Sequence, residues 1–204
     1  MIYHIINKSI ADFVIFNNDE EFLRMAMAIR YYRSEKPIMS LSQFLKLAQP
    51  IYEKGEPCSV NILAYCLMPT HIHLMIKENN DKMASKFIND TLNSYTRYFN
   101  MKHKRKGPLW EGKSKKNKIN SDEQLLHTTR YIHLNPVTAY IVNKPEDWPY
   151  SSYREYMNKI DDKDRICKYS NEIDMDPSEY KRFAEEQIPY QRELAQIKAR
   201  MTIV

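Results

Sequence analysis

Apolar and polar positions along the chain alternate in two rhythms. A short β-type run covers residues 3–6, and residues 11–16 extend or return it. After Asn17-Asn18-Asp19, which suits a turn and a helix cap, Phe22, Met25, Ile29 and Tyr32 recur at helical spacing and predict a helix over 21–32. Ser40 and Gln43 fit a capping box in front of Phe44, Leu45 and Leu47. Lys54-Gly55-Glu56-Pro57 reads as a break. Residues 59–68 are short and almost wholly apolar, as a buried strand is. Pro69-Thr70 then turns the chain into a second strand over 71–77. There His71, His73 and Met75 share one face, while Ile72, Leu74 and Ile76 share the other. The aliphatic face must meet a core, and the opposite face carries two imidazoles.

Further along, Met83, Phe87, Ile88, Leu92, Tyr95 and Phe99 mark a long amphipathic helix over 82–102, ended by a basic stretch and Gly107-Pro108. Residues 109–119 suit a strand with basic side chains. Ser121, with Gln124 at the capping-box position, opens a helix that carries Leu125, Leu126, Thr129, Ile132 and His133. Pro136 is expected to stop it near Asn135, because proline disfavours helical backbone in the residue before it. A shorter helix starts around residues 148–153. Residues 161–164 form a polar linker, and 177–186 and 190–200 read as terminal helices. No internal repeat or low-complexity tract occurs.

Charge sharpens the picture. The formal net charge is +5, and it is localised: nine Lys/Arg stand against the single acid Glu111 between Arg97 and Lys118. Such a ribbon suits a polyanion partner, or forms a solvated surface run. The candidate DNA contacts are Arg97, Lys102, Lys104, Arg105, Lys106, Lys113, Lys115 and Lys116. Only three glycines are present, without GxGxxG or GxxxxGK[ST], which argues against a glycine-looped nucleotide fold. Three scattered cysteines without CxxC read as reduced thiols in a cytoplasmic protein. Neither a signal peptide nor a membrane-length apolar run is evident.

Two constellations carry chemistry. In His71-Ile72-His73, residues i and i+2 of a strand place both imidazoles on one face, roughly 6–7 Å apart at Cβ by the strand rise. They can converge on one divalent cation, and an amide or carboxylate would add a harder ligand suited to Mg²⁺ or Mn²⁺. A chance pair of histidines fits the same spacing. Tyr131 and Asn135, i and i+4 on a helix, stack on one face. A phenol with a free pKa of about 10 is a poor nucleophile unless a cation and a polarised phosphate assist it. The same two residues also suit an amphipathic packing tyrosine and an ordinary helix end. His4, His103 and His127 read as surface or core-satisfied. His133 lies on a different helix face from Tyr131 and is no candidate ligand. Tyr95, Tyr98 and Tyr153 read as packing residues, Tyr98 being near enough to the basic run to stack on a base.

Taken in order, the segments resemble a known family. Residues 65–76, YCLMPTHIHLMI, resemble the strand–turn–strand signature of IS200-like transposases, and residues 130–137, RYIHLNPV, resemble the tyrosine helix of their REP-associated branch. Residues 148–153 (WPYSSY), 107–112 (GPLWEG) and 3–7 (YHIIN) are similar to further elements of that branch. The resemblance implies His71, His73 and Asn135 as ligands of a Mg²⁺ or Mn²⁺ ion that polarises the scissile phosphate. It implies Tyr131 as the nucleophile that leaves a 5′-phosphotyrosine and a free 3′-hydroxyl. It implies hairpin-bearing single-stranded DNA as substrate. The β-α-β-β-α-β order fits the family's α+β, ferredoxin-like sandwich, with an antiparallel sheet, helices on one face and a C-terminal helical extension. The histidine strand is expected to be central, with the tyrosine helix near it. The catalytic domain is expected over residues 1–158 and the extension over 159–204. Three departures stand out: Thr138-Ala139-Tyr140 where the family has Arg then Ala-Gly, Lys113-Ser114 where many relatives have Arg and an aromatic, and Thr70 where Asn or Asp often precedes the first histidine. Two other readings remain: a domesticated, non-catalytic nucleic-acid-binding protein of the same fold, and a metal-dependent phosphohydrolase that uses water.

Overall fold

The computed structural model describes residues 1–35, 37, 39–47, 58–80 and 82–201, without the side chains of 198 and 199. The expected break at 54–57 lies outside the described residues. Four strands form one antiparallel sheet: β1 (Ile2–Lys8), β2 (Val60–Met68), β3 (His71–Glu78) and β4 (Lys115–Ile119), in the order β2-β3-β1-β4. The histidine strand β3 is therefore central.

The alternation read from the sequence decides what covers each face. Ile72, Leu74 and Ile76 are fully buried in a core with Phe22, Met25 and Ile29 of α1 (Asp19–Tyr32) and Phe87, Leu92, Tyr95 and Phe99 of α3 (Met83–Lys102). Between these helices, the short α2 (Leu41–Phe44) has the expected capping box of Ser40 and Gln43. Asn18 caps α1 by accepting the Glu21 backbone N–H. The expected helices on one face are α1 and α3. The second face is also covered, by α4 (Asp122–Thr138): Leu125 and Ile132 pack with Cys66, Met68 and Met75. A β-bulge between Ile62 and Ala64 leaves an extra residue on β2, so that Leu63 and Ala64 both join this second core.

Three elements differ from the sequence expectation. Residues 11–16 do not extend β1. The chain makes a 3-10 turn at Ile10–Asp12, where Ala11 and Asp12 take left-handed backbone conformations, and the N–H groups of Ile15 and Phe16 go to the Pro69 carbonyl. β4 begins only at Lys115, since Gly112 sits at φ 63° and Trp110 makes a lone bridge to Ser9. α4 runs through Pro136 to Thr138. Proline removes its own N–H bond to the Ile132 carbonyl and crowds that carbonyl, yet helical bonding resumes beyond it, with Ala139 donating to the Asn135 carbonyl at 2.9 Å.

The C-terminal residues are woven into both cores. After α5 (Tyr153–Tyr156), the buried Glu155 carboxylate accepts the Ile166 and Cys167 backbone N–H groups at 3.1 and 2.8 Å. The segment then reaches α6 (Pro177–Glu185), whose Tyr180 and Ala184 join the second core, and α7 (Ile188–Met201), which lies on α4. Among the described residues no helix is long and apolar enough to cross a membrane.

Candidate active site

Strand register builds one side of the site. His4 and Ile6 of β1 lie opposite Met75 and His73 of β3, and Lys8 lies opposite His71. These residues share the face that α4 covers. α4 is fixed there by its Ser121 cap, by Ile132 in the core and by His133, whose two ring nitrogens meet Tyr180 Oη at 2.6 Å and Ser152 Oγ at 2.7 Å. Gln124 accepts the Asn120 N–H, one residue earlier than a capping box has it.

This placement brings Tyr131 over the imidazoles. Its ring centroid is 5.5 Å from that of His73 and 6.0 Å from that of His4, edge-on to both. The His71 and His73 rings are 5.1 Å apart. The tyrosine is 39% exposed, so a strand arriving from solvent can reach it. Asn135, one turn on, donates its amide to the Tyr131 carbonyl at 2.8 Å, which leaves its side-chain oxygen as an acceptor. Tyr131 thus stands over His73, with His71 beside that ring and Asn135 one helix turn along from the tyrosine.

The donor set fits a divalent cation. Thr70 Oγ1 holds His71 Nδ1 at 3.1 Å and His4 Nε2 holds His73 Nδ1 at 3.0 Å, so both Nε2 atoms remain for a metal. Among the described residues no trio of His, Cys, Asp or Glu is placed to hold a metal. The set here is two imidazoles and an amide oxygen. Burial lowers His71 to a pKa of about 4, helped by the Lys8 cation and opposed by Asp12. Burial and then the neighbouring His71, His4 and Lys8 hold His73 well below the usual imidazole value. Both are neutral near pH 7, the form that binds metal. Burial raises the Tyr131 phenol, the Asn135 amide pulls it down, and Cys66 adds to the rise.

The basic residues divide. Lys102 is held by Glu20 at 2.8 Å and Glu21 at 3.4 Å, and Arg105 donates to Asn100 and to the Pro108 carbonyl. Arg97, Lys104, Lys106, Lys113, Lys115 and Lys116 are exposed, with Lys116 lying over the Tyr3 ring. Lys115 pairs with Ile6, whose other neighbour is His73, so it stands on the site face two strands away, roughly 10 Å by strand spacing. Tyr98 is occupied: it donates to Glu20 and lies between Arg24 and Lys102. His103 meets Glu21, and His127 meets Arg130. A groove lined by Asn89, Asn93, Trp110, Lys113 and Lys116 opens between α3 and β4 on the opposite sheet face, away from the tyrosine.

Sequence reasoning missed two residues of this face, His4 and Lys8. The signal was present as alternation, since residues 4, 6 and 8 of a strand share a face, but register alone shows which face that is. The departure at 138–140 has a local explanation: Tyr140 takes a left-handed backbone conformation and packs under Arg192 of α7, which donates to the Val137 carbonyl.

An antiparallel sheet with imidazoles on its central strand and a tyrosine helix laid across them places the molecule in a known class: residues 27–135 match the family described as IS200-like transposase, and the chain belongs to that family. Within it, the similar proteins carry REP-associated names. One from Haemophilus influenzae, provisionally named a REP-associated tyrosine transposase, is 32% identical over 101 residues, 45% of this chain and 57% of the relative. The Escherichia coli K12 REP-associated tyrosine transposase is 22% identical over 123 residues, 59% of this chain and 71% of that one. A solved REP-associated tyrosine transposase, bound to a REP hairpin, superposes with a TM-score of 0.56 at 15% identity, covering 82% of this chain and 86% of the other, a likeness of fold. The match to the Haemophilus protein spans little more than half of that protein's length.

Proposed function

We propose that this protein cleaves and rejoins single-stranded DNA beside a hairpin, with Tyr131 as nucleophile and a Mg²⁺ or Mn²⁺ ion held by His71, His73 and Asn135. The observation that carries this reading is the Tyr131 ring edge-on to His73 at 5.5 Å, although strand and helix are far apart in sequence. A bound divalent cation would supply Lewis-acid polarisation of the phosphate.

The chain's own groups do the rest. Tyr131 Oη forms a bond to phosphorus as the bond from phosphorus to the 3′-oxygen breaks. The phenol proton leaves to solvent, and the departing oxygen takes one up as a 3′-hydroxyl. The 5′ strand end stays on the tyrosine, and attack by a 3′-hydroxyl reverses the step without ATP. Lys8 and Lys115, on the same face, suit the flanking phosphates, and the exposed Arg97, Lys104, Lys106 and Lys113 extend backbone attraction beyond the site. A hairpin substrate is supported by the solved neighbour of the same fold, which is described as bound to one.

Incubation of the protein with hairpin-bearing single-stranded DNA and Mn²⁺ should give a covalent adduct that survives denaturing electrophoresis, and Tyr131→Phe should give none. Binding without an adduct in the wild type would favour a non-catalytic binding protein. Cleavage that persists in Tyr131→Phe would favour a hydrolase that uses water.

A further inference from the structure

We propose that His4 is a positioning residue for the metal site, which fixes the His73 ring so that its Nε2 faces the cation. This inference rests on the metal-site reading above.

His4 and His73 are not directly opposite in the ladder. His4 lies opposite Met75, and His73 lies opposite Ile6, so the two are diagonal neighbours on one face. Imidazole rings are long enough to close that diagonal: Nε2 of His4 sits 3.0 Å from Nδ1 of His73, with the ring centroids 5.3 Å apart and the ring planes only 22° from parallel. His4 is 6% exposed, so this contact is shielded from competing water.

A neutral imidazole has one N–H donor and one lone-pair nitrogen. A histidine that offers Nε2 to a cation carries its proton on Nδ1, and that N–H needs an acceptor. Metal-binding histidines generally give this second N–H to a partner that sets ring angle and tautomer. Here the acceptor is Nε2 of His4. His71 is held at the same atom, by Thr70 Oγ1 at 3.1 Å. Both proposed ligands are therefore steered through Nδ1, one by a hydroxyl from the turn and one by an imidazole from the neighbouring strand. His4 also meets the Tyr131 ring edge-on at 6.0 Å, so a displaced His4 would disturb nucleophile and ligand together.

The test is Mn²⁺ binding to the full chain without DNA, read from the electron paramagnetic resonance signal of free Mn²⁺. Wild type should bind and His71→Ala should not. His4→Phe, with His4→Leu as the smaller deletion if the phenyl ring prevents folding, should bind about 10–100-fold more weakly. His4→Gln should recover most of that loss, because its amide oxygen can accept the His73 N–H. Equal Mn²⁺ binding by wild type and His71→Ala would sink the metal site itself. Loss in His71→Ala with wild-type affinity in His4→Phe or His4→Leu would leave the metal site standing and overturn the role of His4. A His4→Gln protein as weak as the deletions would overturn the hydrogen-bond account.

Discussion

Single histidines in this protein differ in what surrounds them. His133 is fully buried, hydrogen-bonded on both nitrogens, and burial pushes its pKa down to about 3 from the usual 6.5. Above pH 6.5 neither the folded nor the unfolded chain protonates this ring, and its contribution is flat. Below 6.5 the unfolded chain gains a proton that the folded one refuses, so stability falls as pH drops toward 4. His4, lowered to about 4 by burial, adds the same sign. The thermal midpoint should therefore decline from pH 6.5 to 4, and His133→Gln should flatten that decline. Parallel slopes in the two proteins would refute the assignment. Helix periodicity alone turns His133 away from Tyr131, so its exclusion as a ligand is legible in the sequence. The place of His4 is not. A lone histidine on a strand has no spacing signal, and its partner is 69 residues away.

Among elements, those whose rhythm is internal were legible. The β2–β3 hairpin, α1 and α3 follow from alternation and helical spacing, and the starts of α1, α2 and α4 from side-chain acceptors at Asn18, Ser40 and Ser121. Less legible were pieces fixed by long-range partners. The stretch before β4 has strand composition yet forms only the bridge at Trp110, whose indole N–H is drawn to Thr96 of α3 at 3.0 Å. α4 outruns Pro136, and beyond the proline its end is held by Ala139 donating to the Asn135 carbonyl and by Arg192 of α7 donating to the Val137 carbonyl. Residues 161–164 read as a polar linker, yet just beyond them Glu155 staples Ile166 and Cys167 to the core through two backbone N–H groups. Burial raises the Glu155 pKa, and those two N–H bonds oppose it. Glu155→Ala should cost about 3 kcal/mol in denaturant titration, from two orphaned N–H groups, with Glu155→Gln in between. A loss under roughly 0.5 kcal/mol, the range of ordinary surface changes, would show that the staple is not needed.

For the whole molecule, the distribution of charge matters more than its sum. The sequence shows a ribbon of cations without showing which are spoken for. Lys102 spends its charge on Glu20 and Glu21, while Lys113 and Lys115 are exposed to solvent, Lys115 on the site face and Lys113 at the groove behind it. Affinity for a hairpin-bearing single strand should fall linearly with salt on logarithmic axes. Replacing Lys113 and Lys115 by Ala should make that slope shallower by about 0.7 for each phosphate no longer neutralised, whereas Lys102→Ala should change it little. Equal effects from both substitutions would mean that the free and the paired cations serve DNA alike. The family and the α+β fold were both readable from ordered short motifs. The second helical layer was legible only in part: the resemblance puts the tyrosine helix near the histidine strand, but helices were expected on one face, and Met75 beside His73 gives no sign that α4 packs over it.

β3 is a party wall between two dwellings. Ile72 and His73 are joined by a peptide bond, yet one belongs to the layer under α1 and α3 and the other to the chamber under α4. Close-packed interiors transmit small displacements. A substitution among the aliphatic tenants on one side can therefore tilt the imidazoles on the other, so reactivity in this protein can be tuned from residues that meet neither DNA nor ion.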